Sequence, residues 1–151
     1  MNVIAAASET LPQRLGSMRL VVNQEALDAS EIPLVKIKKV IKEVLGQLPA
    51  LTTIAVVEVV TGNCLAHLSR RRGFNPVALA THHAETVRQQ QQALAMLATR
   101  GERLEDILIP LRKQLHLIRL AKNGQWFVFL AVKAQDTSLA LAREILKSII
   151  A

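Results

Sequence analysis

Two stretches of this chain are apolar on both faces of an extended backbone, and they restrict the fold more than any other feature. Thr53 to Val60 is rich in β-branched residues and broken only by Glu58, and Trp126 to Val132 contains no polar residue. A strand with one apolar face needs cover on one side only. A strand with two needs cover above and below, so both stretches read as central strands of a sheet held between helices.

Turn chemistry fixes how those strands connect. Thr61-Gly62-Asn63 supplies a tight turn after the first, and Cys64 to Leu68 returns as a shorter strand. Ile107 to Leu111 is a strand containing Pro110, which cannot donate to a ladder and so points to an edge. Leu115 to Leu120 follows, and Lys122-Asn123-Gly124 carries the Asn-Gly signal of a two-residue hairpin leading back into Trp126 to Val132. Connections this short make neighbouring strands antiparallel.

Three helices frame the strands. Ile37, Val40, Ile41, Val44, Leu45 and Leu48 recur at helical spacing, with Lys36, Lys38, Lys39 and Lys42 on the remaining surface and Pro49 as the stop. Asn75-Pro76 sets a capping side chain before a Pro at the first helical position, opening a long helix that carries Val77, Ala80, Ala84 and Val87, runs through Gln89 to Gln92 and ends before Gly101. Asp136, Thr137 or Ser138 caps the last, on which Leu139, Ala142, Ile145, Leu146 and Ile149 share a face. The order is helix, strand, strand, helix, strand, strand, strand, helix. The expectation is an α+β three-layer α/β/α sandwich around a five-stranded antiparallel sheet over residues 34–151. Residues 1–33 show no sustained period of 2 or 3.6 and read as an N-terminal arm, partly ordered at most.

At 151 residues the chain has room for one domain. No apolar run approaches the ~18 residues of a membrane span, and the opening residues lack a basic segment followed by an apolar one, so a cytoplasmic protein is expected. Cys64 is the only cysteine, which excludes an internal disulfide and any multi-cysteine metal site. The net charge of +7 is uneven: residues 1–33 carry two Arg against four acids, or −2, leaving 17 Lys and Arg against eight acids, or +9, on residues 34–151.

Catalytic constellations are not written in the sequence. Neither Gly-x-x-x-x-Gly-Lys-[Ser/Thr] nor Gly-x-Gly-x-x-Gly occurs, so the chain is not itself a GTPase. Cys64 and His67 lie three apart on a strand and face opposite ways, so no nucleophile–base pair forms. His82, His83, Glu85 and His67 are the only metal-like group, but adjacent helical residues diverge by ~100°, and a surface or interface His pair is the expected reading. Glu58 reads as a hydrogen-bonded or sheet-edge carboxylate. Arg70-Arg71-Arg72 is the sharpest charged feature: a solvated loop, or a contact for an acidic partner surface or phosphates. No catalytic, metal-binding or cofactor-binding residue is assigned.

The Val-Val-Glu-Val-Val-Thr-Gly-Asn hairpin at 56–63, the long second helix, Ile107-Leu108-Ile109 at an edge, the Asn-Gly hairpin and the closing Leu-Ala-Leu-Ala-Arg-Glu-Ile-Leu-Lys helix together resemble the roadblock/dynein light chain family over residues 34–151. Family members commonly carry an Asp two or three positions before the first hairpin Gly, where this chain has Glu58 slightly further away. The resemblance implies no cofactor, and a homodimer or heterodimer in which residues 76–99 and 105–111 pair across a twofold axis. The interface residues expected on that basis are Ala80, Ala84, Val87, Gln91, Ile107, Leu108 and Ile109. It further implies a scaffold or regulator that often binds a small Ras-like GTPase. An apolar edge strand points the same way, because it is an aggregation liability unless covered or paired. The alternative is a nucleic-acid or anionic-surface binder. It rests on the +9 charge, and with 3% aromatic residues and no Tyr it favours duplex backbone over single-strand stacking.

Overall fold

The computed structural model describes residues 13–15, 18–70, 74–97 and 101–150. Its strands are β1 (Gln13–Leu15), β2 (Met18–Val22), β3 (Leu51–Glu58), β4 (Cys64–Ser69), β5 (Asp106–Pro110), β6 (Gln114–Leu120) and β7 (Trp126–Lys133). The helices are α1 (Gln24–Ala29), α2 (Leu34–Gln47), α3 (Pro76–Ala95) and α4 (Leu139–Ile149), with a 3-10 turn at Ala134–Asp136. All seven strands form one antiparallel sheet in the order β1-β2-β4-β3-β7-β6-β5.

The two strands apolar on both faces pair directly with each other, from Leu51 opposite Val132 to Glu58 opposite Trp126. Their side chains alternate between two cores. Ile54, Val56, Val128 and Leu130 meet Ile37, Ile41 and Val44 of α2, Ala142 and Leu146 of α4, and Leu27 of α1. Ala55, Val57, Phe127 and Phe129 meet Ala80, Ala84 and Val87 of α3. Helices therefore cover both faces, giving the three layers expected. The ladder slips between Leu51 and Thr53, where the Thr52 hydroxyl donates to Ala131 O at 3.0 Å and keeps the irregularity satisfied.

The sheet has seven strands instead of five, and both additional ones come from the first 33 residues. Strand β2 pairs with β4, Leu20 opposite Leu68, and Leu20, Val22, Ala26 and Leu27 join the same apolar cluster as α2 and α4. Five residues of strand and six of helix are too short to establish a period, so hydrophobic patterning misses them. The Asn23 side chain caps α1 by accepting from Ala26 N at 3.1 Å.

Other boundaries follow local chemistry. Asn75 caps α3 through Ala78 N and Ser138 caps α4 through Leu141 N, as the sequence predicts. Helix α3 stops at Ala95 and not near residue 99, with Met96 as its C-cap and Gly101 at φ +81° beyond. The β6–β7 connection is wider than a two-residue turn. Ala121 N donates to Trp126 O, leaving Lys122–Gln125 as a four-residue loop with Gly124 at φ +72° and Asn123 Oδ1 accepting from Gln125 N.

Candidate functional site

Strand β5 ends the sheet, pairing with β6 along one side only. Glu105 O accepts from Leu120 N and Leu111 N donates to Gln114 O, so odd-numbered backbone groups face β6. In an antiparallel strand the alternate groups, those of Asp106, Leu108 and Pro110, then point away from the sheet. Pro110 thus sits where its missing N–H costs no ladder bond. Ile107 packs toward α3 and Leu108 toward the opposite core, and Ile107, Leu108 and Ile109 are all only half-buried.

The strand is held firmly. Asp106 accepts from Arg119 Nη1 at 3.4 Å and from Arg143 Nε at 3.0 Å, tying β5 to β6 and to α4. Asp106 lies opposite Arg119 in the ladder, a register that sequence alone does not supply. This places an apolar, hydrogen-bond-competent edge on a rigid frame.

Helix α3 presents a different face from the one expected. Ala80, Ala84 and Val87 are at most 1% exposed and lie against the chain's own sheet, so they are not available to a partner. Small residues at helical spacing serve here for close helix–sheet packing. The exposed face of α3 carries Ala78, His82, Glu85 and Gln89 instead. Gln91 is half-buried and donates from Nε2 to Gly124 O at 3.1 Å, joining α3 to the β6–β7 loop.

The middle of α3 grips the neighbouring β3–β4 hairpin at the same end of the sheet. Arg88 donates to the carbonyls of Val59 and Val60 and pairs with Glu85. Gly62 takes the left-handed backbone conformation of the turn, at φ +75°, and a Cβ there would meet Ala84 Cβ at an ordinary contact distance of 3.7 Å. Glu58 accepts from the Thr61 hydroxyl at 2.7 Å, the hydrogen-bonded carboxylate expected from its setting.

The histidine pair does not form a surface site. His82 is exposed, but His83 is 8% exposed and its ring lies 4.6 Å from that of Phe129. His116 of β6 meets Phe129 edge-on at 5.2 Å. Burial, with His116 and His82 nearby, lowers the His83 pKa to about 4, and burial lowers that of His67. The Cys64 thiol is buried, donates to Ala66 O at 3.5 Å and has its pKa pushed up to about 12, so it is no nucleophile. Among the described residues, no three His, Cys, Asp or Glu side chains are placed to hold a metal ion, and no helix is long and apolar enough to cross a membrane.

Arg70 follows β4 at the far end of the sheet, exposed, donating from Nη1 to Pro49 O at 3.2 Å. Arg71 and Arg72 lie outside the described residues. Arg112, Lys113 and Lys133, distant in sequence, stand at the same end of the sheet and line one depression with Arg70. Their common signal is position: each cation falls at or just beyond a strand terminus.

No protein-family profile and no curated protein matches the chain. Solved structures do. MglB from Myxococcus xanthus superposes with a TM-score of 0.67 at 14% identity, over 78% of this chain and 91% of that one. The gliding protein MglB from Thermus thermophilus gives 0.62 at 18%, over 80% and 87%. A roadblock/LC7 domain from Streptomyces avermitilis gives 0.52 at 14%, over 70% and 88%. The chain has a roadblock-like fold. In that roadblock-like framework β5 is one edge of the sheet and α3, among the described residues, the one helix of its layer.

Proposed function

We propose that this chain is a non-catalytic, dimeric scaffold or regulatory protein that binds a small Ras-like GTPase or a related regulatory partner. The observation that carries the reading is the edge of β5: Leu108 directs backbone N–H and C=O outward, flanked by half-buried apolar side chains, on a roadblock-like frame. Pairing the edge with a second β5 across a twofold axis satisfies those groups and covers Ile107 and Ile109. The exposed face of α3, with His82, Glu85 and Gln89, replaces Ala80, Ala84 and Val87 as the helical part of this interface. One observation supports an assembled state in a neighbour: an MglB structure of the same fold is described as having a tetrameric arrangement.

Light scattering on the eluting protein tests the dimer. A dimer mass is expected at micromolar concentration. Leu108→Pro removes the outward N–H and leaves the β6 ladder intact, so it is expected to weaken association by about tenfold or more, since one lost edge bond and its misalignment exceed ~1.4 kcal/mol. A monomeric wild type, or a variant dimer of unchanged affinity, refutes the assignment. Affinity capture with a GTP analogue and with GDP tests the partner: nucleotide-dependent recovery of one GTPase is expected, and recovery of no GTPase with either nucleotide refutes that part.

A further inference from the structure

The sheet end opposite the β3–β4 hairpin gathers cations from three separate connections. Arg70 follows β4, Arg112 and Lys113 form the β5–β6 turn, and Lys133 closes β7. Strands β4, β3, β7 and β6 are adjacent in the sheet, so these termini stand side by side. They line a depression of about 880 Å³, within the range of small-molecule sites.

Its rim is fixed by backbone hydrogen bonds between the converging segments. Arg70 N donates to Thr52 O at 2.8 Å, Lys133 N to Ala50 O at 3.2 Å and Ala134 N to Lys113 O at 3.0 Å. Arg70 is tethered further through Pro49 O. Among the described lining residues Asp136 is the single acid, and no carboxylate among the described residues pairs with any of the four cations. Four like charges held around one concavity repel each other. An anion of several charges relieves that repulsion at one point.

We propose that this depression binds a compact oligophosphate group, two or three phosphates linked together or borne on one ring. Among the described lining residues four cations stand against one acid, a net of three positive units, which matches such a group. Guanidinium forks suit phosphate oxygens and lysines add point charge. The cations converge on a hollow and do not run in a stripe along one face, the layout that tracks a duplex backbone. No aromatic residue lines the hollow among the described residues, so a base gains no stacking there. The site stands apart from the β5 edge and does not depend on the partner reading above.

Calorimetry of the full chain with tripolyphosphate tests it. Saturable binding at one site per chain is expected. The double variant Arg112→Ala/Lys133→Ala is expected to weaken it by about tenfold or more, because two charge-assisted contacts are lost. Lys38→Ala/Lys42→Ala on α2 removes the same charge elsewhere and is expected to leave affinity within about twofold, as screened long-range charge contributes little. Thermal melts confirm that both variants fold. Equal weakening by the two double variants, stoichiometry above one, or no binding at low salt overturns the proposal. Displacement by ATP assigns a soluble source, and displacement only by phosphatidylcholine vesicles containing phosphatidylinositol bisphosphate assigns a lipid headgroup. Failure of both to displace tripolyphosphate also overturns it, as does a short DNA duplex that binds more tightly and loses affinity equally in both variants.

Discussion

The two faces of the sheet are built on opposite plans. On one, α1, α2 and α4 bring large apolar side chains, and its ionic groups are paired at the β5 edge, where Asp106 meets Arg119 and Arg143 of α4. On the other, α3 is the one helix among the described residues, giving cover with Ala80, Ala84 and Val87; the ladder registers place His67 and His116 on that side, where His116 and His83 both meet Phe129. The first face is a reservoir of burial energy, interchangeable in detail. The second is thin and carries the buried histidines whose pKa values are lowered, so its behaviour depends on fit and on pH.

On that contrast, deleting volume is most costly on the thick face. Ile41→Ala removes a fully buried side chain at the α2–sheet contact and is expected to cost ~2–5 kcal/mol in urea unfolding. On the thin face the sensitive direction is reversed. Ala84→Leu forces a larger side chain into the Gly62 approach and is expected to cost ~1–3 kcal/mol, whereas a cost below that of Ile41→Val would erase the distinction.

A smaller effect distinguishes the faces by chemistry. His83 and His67 have folded pKa values below that of the unfolded chain, so the unfolded state takes up protons that the native state refuses. Stability is fully present above about pH 6.5 and is expected to fall as pH drops toward about 4, where His83 itself titrates. His83→Phe is expected to flatten part of this slope while His82→Ala leaves it, as read by melting temperature across that range. Identical slopes in the two variants would remove His83 from the account. The least difference is expected at the helix ends. Asn75→Ala and Ser138→Ala each remove one cap, one per face, and should cost a similar ~1 kcal/mol in thermal unfolding.

Much of this was legible in the residues. Strands that must be covered twice, an edge strand marked by Pro110, and caps at Asn75 and Ser138 follow from local chemistry, and each stands where the sequence places it. The site was less legible. A stripe of small residues on α3 is the same signal whether it meets a partner or the chain's own sheet, and here it meets the sheet. His83 reads as half of a surface or interface pair because the phase of α3 relative to Phe129 is not encoded in its neighbours.

By itself, then, the sequence determined the three-layer plan, since period, turn residues and caps act within a few positions. Tertiary structure alone decided the rest: the two strands from residues 13–22 completing the sheet, Phe129 lying between His83 and His116, and Arg70 standing beside Arg112, Lys113 and Lys133. Those outcomes depend on strand order and register. Order and register are chosen by the summed packing of both faces, a property of the whole sheet that no single segment contains.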